Sequence, residues 1–446
     1  FKGFSQEASD TSETHEWVRN LPECNGLLGT YGFSYQGLTQ LTAKPETPPP
    51  NCLAPAMTGL NESDHWSSEG GAFWWHINLS WGLQLAAQKA RRIGNKAQWH
   101  EIRESLENGS YLKEGPLLLE KYDPDGMVNQ WLIKANQNSD TLKVHKPLRT
   151  WLKQPMLLIG GWWDPHLNGI LDIYQKSLES GGDPELHIGP ATHLQWWNGT
   201  QRVLLEFFKK YLHKSNNFNF VHPKQLLWNI SSKEWESYNP QKKSLQKWGL
   251  NSSGLACQDT SNGVLRPNSK SFGFEVLVHD PWRAVPSVGG HLSPEPGLID
   301  RSELDKRPDV ATFTSAPLSK NLRIEGKPIL EIEAYSDRDS FDLCVALSIV
   351  NKKKSKVIQL STGLIRIIEG NKTTDSKTRK IKLQPLLAEF KKGTSIRISI
   401  AGSAWPAIGI NPGDRHQNCS AVSPDFLVTT IYLKISQSIF YFSPLI

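Results

Sequence analysis

Short apolar runs alternate with stretches of helical spacing in the first part of the chain. Four runs are short and continuous enough for strands buried on both faces, at residues 27–31, 53–57, 155–160 and 184–189. Helices are predicted at 10–21 and 35–43, and again after residue 200, where Val203, Phe207 and Tyr211 lie at helical intervals. This alternation predicts a parallel sheet that is covered by helices on both faces.

Residues 61–150 interrupt the alternation of strands and helices. The stretches GGAFWWHINLSWGLQLAAQKARR and KAQWHEIRESLEN have helical spacing and many aromatic side chains. The interruption predicts a helical cap inserted between two parts of the sheet domain, at 1–60 and 151–220.

The pattern changes again after residue 220. Segments rich in β-branched and aromatic residues recur at 274–279, 327–334, 343–350, 380–383 and 395–400. Turns rich in Gly, Pro, Asn and Asp separate them. Many short strands with few helices predict an all-β domain over 221–446, either a sandwich or a jelly roll.

Composition and charge narrow the classes of partner. A chain of 446 residues is too long for one ordinary core, and 38% hydrophobic with 21% charged residues is normal for globular proteins. The net charge of +6 is spread out, and its densest run, Lys352-Lys353-Lys354, lies between predicted strands. We therefore expect a solvated loop there and no nucleic-acid partner. The 17 tryptophans favour aromatic-lined pockets or interfaces, although large cores use them too.

The cysteines bear on disulfide bonds and metal binding, and the apolar runs bear on the location of the protein in the cell. Five cysteines lie far apart without a Cys-x-x-Cys pair, which argues against a disulfide framework and a zinc site. We expect no metal and no cofactor. No apolar run approaches the roughly 18 residues that span a bilayer, and no signal peptide is visible, so a cytoplasmic protein without a membrane partner is expected. The chain begins with Phe in mid-pattern, so we also expect the true N-terminus to be missing. Either a monomer or a homo-oligomer fits the sequence.

The stretch GTYGFSYQG, residues 29–37, places Ser34 where a predicted strand turns directly into a predicted helix. A nucleophilic serine needs a base and an acid that orients the base. Asp164 follows the strand predicted at 155–160, and His193 follows the strand predicted at 184–189. The order Ser, Asp, His is that of α/β hydrolases. Each residue also has an ordinary alternative: a loop serine, a helix-capping aspartate and a loop histidine.

Several stretches resemble the cocaine esterase-like (CocE/NonD) hydrolases, a family that includes α-amino-acid ester hydrolases, glutaryl acylases and X-Pro dipeptidyl peptidases. They are GTYGFSYQG, GGWWDPH, GPATH and DPWRAVPSVGG, with IDRSELDKRPDVATFTSAPL and IAGSAWPAIGINPG further on. The resemblance covers nearly the whole chain. It implies an α/β hydrolase domain with an inserted helical cap, followed by a C-terminal all-β jelly-roll domain.

The resemblance also implies roles for individual residues. In this family the serine is typically followed by Tyr-x-Gly, which Tyr35 and Gly37 match. Ser34 then corresponds to the nucleophile, Asp164 to the acid and His193 to the base, and the backbone N–H of Tyr35 would be one oxyanion donor. The family's second donor is a tyrosine hydroxyl in the first strands of the hydrolase domain. We expect this chain to lack those strands.

Substrate contacts are predicted from the same resemblance, because the cap and the jelly roll shape the acyl pocket in the family. Candidates to line it are Trp74, Trp75, Trp81 and His166. For the tryptophans, packing between cap helices is an equal alternative. Asp64 and Glu69 are candidates to bind a substrate ammonium group, against the alternative of exposed loop carboxylates.

The sequence therefore predicts a serine hydrolase that cleaves an ester or amide of a small acyl group through an acyl-enzyme. Two alternatives stay open. One is an X-Pro dipeptidyl-peptidase-type aminopeptidase, and the other is a non-catalytic protein whose jelly roll binds carbohydrate. A metal site at His76 and His100 lacks the ligand spacing such a site needs.

Overall fold

A computed structural model describes residues 2–136, 142–213, 223–238, 246–351, 353, 355–369, 376–415 and 420–445. Lys352 and Lys354 of the predicted basic loop lie outside the described residues, as does Cys419. The predicted boundary between residues 220 and 221 lies outside them as well.

Helices occupy both parts of the N-terminal half. In chain order they are α1 (Glu7–Arg19), α2 (Tyr35–Thr39), α3 (Trp75–Arg92), α4 (Lys96–Asn108), α5 (Tyr111–Tyr122), α6 (Met127–Asn136), α7 (Arg149–Leu152), α8 (Leu167–Ser180) and α9 (Thr200–Leu212).

Strands occur throughout the chain and dominate its C-terminal half. In chain order they are β1 (Gly29–Phe33), β2 (Cys52–Ala56), β3 (Ser68–Glu69), β4 (Ala72–Phe73), β5 (Leu157–Trp163), β6 (Glu185–Thr192), β7 (Gln225–Asn229), β8 (Glu234–Ser237), β9 (Lys247–Asn251), β10 (Val264–Pro267), β11 (Glu275–His279), β12 (Ile299–Asp300), β13 (Val310–Ser315), β14 (Leu322–Ser336), β15 (Ser340–Asn351), β16 (Lys356–Ile368), β17 (Lys377–Lys382), β18 (Leu386–Phe390), β19 (Ser395–Ala401) and β20 (Thr429–Ser443).

The chain divides into two compact units, and one of them contains the parallel sheet. It comprises Gly3–Trp66 and Lys143–Gln241. Its strands lie in the order β1-β2-β5-β6-β7-β8, all parallel except for the antiparallel pair β7 and β8. Every residue of β2 and β5 is buried, as expected for strands covered on both faces. Phe207 of α9 packs with this core.

The sheet extends past the predicted end of its domain. The sequence pattern assigned everything from residue 221 to the all-β domain, but β7 pairs with β6 and β8 pairs with β7. The reason is that a short apolar strand carries no local mark of the sheet it joins, because pairing partners are chosen by long-range contacts.

The second compact unit comprises Ser67–Leu142 and Lys242–Leu445, so the helices predicted as a cap cluster with the C-terminal strands. The strands β9–β20 pair mostly in antiparallel fashion, with one parallel pair between β10 and β13. The helices α3–α6 pack on one another around buried residues such as Leu79, Leu83 and Leu119. The hairpin β3–β4 is anchored by a hydrogen bond from the Arg366 N–H to the Gly70 carbonyl, 2.8 Å long.

Candidate active site

Ser34 lies between β1 and α2 in a strained backbone conformation, with φ 58 and ψ −130. Its N–H donates to the carbonyls of Ala56 (2.9 Å) and Met57 (3.1 Å) at the end of β2. Positive φ is costly for a residue with a Cβ, so these contacts hold the turn in place. The predicted strand-to-helix turn is confirmed, although the helix ends at Thr39 rather than at residue 43.

Two glycines explain why the motif reads Gly-x-Ser-x-x-Gly. Gly32 has φ 156, and a Cβ there would lie 2.8 Å from the Cβ of Gln36 on the first turn of α2. A Cβ on Gly37 would lie 2.8 Å from the Cβ of Thr58 and 2.9 Å from the Ala56 carbonyl oxygen. Both distances are shorter than side chains tolerate, so the sharp turn requires glycine at each end.

The strand ends bring Asp164 and His193 to Ser34. Asp164 directly follows β5, and His193 directly follows β6. Asp164 Oδ2 lies 2.6 Å from His193 Nδ1, and His193 Nε2 lies 2.9 Å from Ser34 Oγ. A carboxylate only accepts, so Nδ1 donates to Asp164, and in the neutral imidazole Nε2 is then free to accept the Ser34 proton. The three side chains form one continuous chain of hydrogen bonds.

Asp164 is fully buried, yet its charge is well supported. Burial alone would raise the pKa of its carboxyl, but the charge and hydrogen bond of His193 oppose it, together with the hydrogen bond from the His166 backbone N–H. The net effect holds the pKa of Asp164 below its ordinary value of 3.8. The group is therefore ionised at neutral pH, next to a His193 side chain that is 27% exposed.

His166 lies beside this pair rather than on the surface, with only 5% of the residue exposed. Its N–H donates to Asp164 Oδ1 (2.8 Å), and its Nδ1 lies 2.6 Å from the His65 carbonyl oxygen. Its ring centroid is 4.9 Å from that of His193 and 4.5 Å from that of Trp66. Burial lowers the pKa of His166 to about 4, so the ring is neutral and Nδ1 donates to the carbonyl.

Tyr35 opens α2 directly after Ser34. Its position in the first turn leaves its N–H outside the hydrogen-bond ladder of the helix. Its hydroxyl bonds the Glu7 carboxylate and accepts the Phe4 N–H at 2.7 Å. Burial and the Glu7 bond raise the pKa of Tyr35 far above its ordinary value of 10.0, so the hydroxyl stays protonated. These bonds tie the first residues of the chain to the turn that carries Ser34.

The two carboxylates that are predicted to bind a substrate ammonium group belong to different units. Asp64 is exposed in the same unit as Ser34, and its Oδ2 accepts from Asn61 Nδ2 at 3.0 Å. Glu69 belongs to the other unit, where its Oε2 lies 2.5 Å from Nε2 of the buried His291.

The three candidate tryptophans also belong to the second unit. Trp74 and Trp75 are buried, and Trp75 Nε1 donates to the Leu112 carbonyl at 2.9 Å. Trp81 packs on Trp131 with ring centroids 6.0 Å apart. Each therefore has a packing role within its own unit, and a role in substrate binding stays a prediction.

Sequence reasoning singled out Asp64 in the segment after β2 but missed His65 and Trp66, which contact His166. Residues 57–67 follow β2 and include Met57, a non-glycine residue with φ 44, and a π-turn at Ser63–Ser67. His65 and Trp66 lie in that turn and contact His166. The stretch MTGLNESDHW has neither strand nor helix periodicity, so only its closeness to a predicted strand end could have drawn attention to it.

Neither a group of metal ligands nor a reactive thiol at Cys52 is found in the described part of the chain. There, no group of three or more His, Cys, Asp and Glu side chains is placed to hold a metal ion. His76 Nε2 lies 2.8 Å from the Leu292 carbonyl oxygen. Burial raises the pKa of Cys52 to about 12, which leaves this thiol unreactive. None of the helices in the described ranges combines the length and apolarity that crossing a bilayer requires.

Comparison with known families identifies the class of protein. The family model of the X-Pro dipeptidyl-peptidase (S15 family) matches residues 1–195. The model of the X-Pro dipeptidyl-peptidase C-terminal non-catalytic domain matches residues 207–435, more than half of the chain. The chain belongs to the X-Pro dipeptidyl-peptidase (S15) family: an N-terminal catalytic domain followed by a strand-rich C-terminal domain. It is therefore a hydrolase enzyme, and a non-catalytic binding protein has no support.

Individual proteins are similar to the chain in sequence or in fold. The chain is 22% identical over 409 residues to cocaine esterase from Rhodococcus sp. (strain MB1 Bresler), which covers 80% of this chain and 68% of that protein. Its fold is similar to that of an aminopeptidase from the marine sediment archaeon Thaumarchaeota archaeon, with a TM-score of 0.68, 18% identity and coverage of 99% of this chain and 81% of the other. It is equally similar to an α-amino acid ester hydrolase, with a TM-score of 0.68, 19% identity and coverage of 99% and 80%. A CocE/NonD family hydrolase from Staphylococcus aureus gives a TM-score of 0.67, 16% identity and coverage of 98% and 76%.

Proposed function

We propose that the enzyme is a serine hydrolase in which Ser34 is the nucleophile, His193 the general base and Asp164 the acid that orients the base. The observation that carries the proposal is the continuous bond chain from Asp164 Oδ2 through His193 to Ser34 Oγ, with distances of 2.6 and 2.9 Å. The strained turn at Ser34 supports it, since a nucleophile at a sharp strand-to-helix turn projects its hydroxyl away from the sheet.

The reaction proceeds in two halves. His193 Nε2 takes the Ser34 proton as Oγ attacks the acyl carbon, and the resulting imidazolium protonates the leaving alcohol or amine. The acyl group is then esterified to Ser34. Water attacks this ester with His193 again as base, and the carboxylic acid leaves with the proton returned to Ser34. Asp164 keeps Nδ1 protonated throughout and stabilises the imidazolium.

The backbone N–H of Tyr35 is proposed as one oxyanion donor. It belongs to the residue after the nucleophile, the position that supplies this donor in hydrolases with such a turn. A donor aimed at the developing oxyanion contributes roughly 10²–10³ in rate. The bonds of the Tyr35 hydroxyl hold the side chain away from that task and fix the residue in place.

The proposed substrate is a small-molecule ester or amide with a small acyl group. An X-Pro dipeptidyl peptidase is the second candidate, favoured by the family match over residues 1–195. Such a peptidase must bind a free N-terminal ammonium group, and Asp64 and Glu69 are the proposed anchors. Asp64 is the more available of the two, because it is exposed while one Glu69 oxygen is engaged by His291.

We also propose names for the parts of the fold. The unit with the parallel sheet is taken as an α/β hydrolase domain, α3–α6 as its cap, and β9–β20 as a jelly roll. The TM-scores of 0.67–0.68 to solved hydrolases support this division. In the proposed scheme the hydrolase sheet would run to residue 237.

Labelling with a fluorophosphonate tests the proposal directly. We expect one equivalent of label on Ser34 by peptide mass spectrometry, and none in Ser34→Ala. Ser177→Ala is the matched control, because Ser177 is a buried serine of the same unit whose hydroxyl only bonds the Leu152 carbonyl. A folded protein that takes up no label at Ser34 would contradict the proposal.

A substrate panel separates the two candidate activities. It compares p-nitrophenyl acetate and butyrate with alanyl-prolyl p-nitroanilide, and measures kcat/KM for each. A preference for the esters supports the small-acyl hydrolase. Preference for the dipeptide anilide, lost on Asp64→Asn, would support the peptidase instead.

A further inference from the structure

We propose that His166 is a positioning residue of this site: its backbone N–H fixes the Asp164 carboxylate, and its ring fixes the plane of the His193 imidazole. The inference rests on the proposed function, because it concerns how well His193 and Asp164 act together. It differs from the sequence-based expectation that His166 touches the substrate.

The backbone of His166 accounts for one half of the proposal. Its N–H donates to Asp164 Oδ1 at 2.8 Å, while Oδ2 accepts from His193 Nδ1 at 2.6 Å. The Leu167 N–H also bonds the Asp164 main-chain carbonyl, at 3.3 Å, where α8 begins. With each carboxylate oxygen engaged from a different direction, rotation of the carboxylate would break a charge-assisted bond. Asp164 therefore presents Oδ2 to His193 in one orientation.

The ring of His166 accounts for the other half. It contacts two other rings, with centroid distances of 4.5 Å to Trp66 and 4.9 Å to His193. Its Nδ1–H donates to the His65 carbonyl at 2.6 Å, which fixes the ring orientation. On another side His193 faces Phe33, with centroids 5.5 Å apart. The imidazole of His193 is thus bounded by two rings, and the more deeply buried one is held by a hydrogen bond.

The π-turn Ser63–Ser67 supplies the support for His166. His65 Nδ1 accepts the N–H groups of Leu60 and Asn61, each at 3.1 Å. Trp66 Nε1 donates to the Gly59 carbonyl at 2.8 Å. Two side chains of the turn, His65 and Trp66, are therefore hydrogen-bonded to residues 59–61, which precede the turn. This turn presents both the His65 carbonyl and the Trp66 ring that hold His166.

The charge state of His166 suits this task. The groups that face it are the Asp164 carboxylate and His193 from the strand ends and His65 from the π-turn, which itself faces Asp64, Asp172 and Lys176. Burial lowers the pKa of His166 to about 4 even with Asp164 beside it. The ring is thus neutral when His193 takes up a proton, so no like charge opposes the imidazolium.

Two substitutions at His166 separate ring packing from hydrogen bonding. His166→Ala removes the ring beneath His193, and we expect kcat to fall by about 10²-fold with little change in KM, since small displacements of reacting groups cost about that much. His166→Phe restores a neutral ring, so it should recover most of the lost kcat. It should stay less stable than the wild type, because the His65 carbonyl has lost its donor.

His15→Ala is the matched control. His15 is also a buried histidine, stacked on Trp151 with a centroid distance of 5.3 Å and an interplanar angle of 6°, in the same unit. Its loss should lower stability without changing kcat per active site. Active sites are counted by fluorophosphonate titration, so that loss of folded protein is not mistaken for loss of rate.

The outcomes are distinguishable. Unchanged kcat in His166→Ala would overturn the inference, and so would a rise in KM alone, which would make His166 a substrate contact. If neither variant folds, ¹⁵N NMR of the wild-type histidines decides. We expect a neutral His166 with Nδ1–H at about pH 6, with signals that shift when Ser34 is phosphonylated. A protonated His166 at that pH contradicts the proposal. Failure of the wild type to label at Ser34 instead overturns the proposed function.

Discussion

The Asp164 carboxylate is fully buried, and it accepts hydrogen bonds from His166 N–H and His193 Nδ1. The sequence alone singled out Asp164, because it follows one predicted apolar strand and because His193, further along the chain, follows another. The environment of Asp164 was not predictable. No local pattern indicates that His166 is buried, that it bonds both Asp164 and the distant His65, or that its ring lies against His193.

Asp164→Asn tests the orienting role. The amide can donate where the carboxylate only accepts, so the wrong tautomer of His193 is stabilised and kcat should fall by about 10⁴-fold. Steady-state kinetics with p-nitrophenyl butyrate measures the loss. Asp172→Asn is the control, because Asp172 forms a partly exposed pair with Lys176 on α8, and its kcat should stay close to that of the wild type. Equal activity of both variants would argue against a role for Asp164.

The buried His15 makes stability depend on pH. Burial, aided by the charge of Arg19, lowers its pKa from 6.5 to about 4. Between these values the unfolded chain binds a proton that the folded chain does not, so stability is full above pH 6.5 and falls as the pH drops towards 4. We expect a loss of roughly 1–3 kcal/mol over that window. Urea unfolding at several pH values measures this loss. As the pH is lowered, the free energy of unfolding should fall less for His15→Phe than for the exposed control His100→Phe.

At the scale of elements, the short apolar strands and the strand-to-helix turn at Ser34 were predictable, because their spacing is local. Element lengths were not. The pattern placed a strand at 327–334, but β14 runs over Leu322–Ser336. Gly326 and Pro328 are usual strand breakers, yet here Pro328 pairs with Phe442 and Gly326 has φ 143, where a Cβ would lie 2.0 Å from the Ser443 carbonyl oxygen. The close approach of another strand explains this glycine.

Gly37→Ala tests how tightly α2 is seated on the end of β2. The new methyl group would lie less than 3 Å from the Thr58 Cβ and from the Ala56 carbonyl oxygen. We expect a loss of about 1–3 kcal/mol in the free energy of unfolding, and a lower kcat because the turn with Ser34 is displaced. Gly115→Ala in α5 is the control, since its nearest neighbour is a Leu79 methyl group at 3.3 Å. It should be neutral or stabilising. Equal effects of the two substitutions would contradict the close packing at Gly37.

At the scale of the whole molecule, the two compact units each have a buried core of their own. The two broad classes, a parallel α/β part and a strand-rich part, were predictable from the change in periodicity along the chain. The grouping of residues 67–142 with the C-terminal strands was not, because it depends on contacts between segments more than a hundred residues apart.

Unfolding should therefore deviate from a single two-state transition, as is usual for chains with more than one compact unit. Ile159→Ala removes a fully buried side chain from the parallel sheet, and Leu330→Ala does so in β14. Each should lower the free energy of unfolding of its own unit by about 2–5 kcal/mol. Calorimetry together with fluorophosphonate labelling measures both, and labelling of Ser34 should follow the transition shifted by Ile159→Ala. One transition shifted equally by both variants would contradict independent cores.

The chain leaves each compact unit and later returns to it, and this has a consequence for biosynthesis. Residues 67–142 leave the ribosome before residue 242, the point at which the rest of their unit begins to be made. Synthesis of the intervening 143–241 takes roughly 5–20 s at about 5–20 residues per second. During that time the newly made helices α3–α6 lack the strands with which they cluster. The nascent chain therefore passes through a stage at which apolar surface of these helices is not yet covered by those strands.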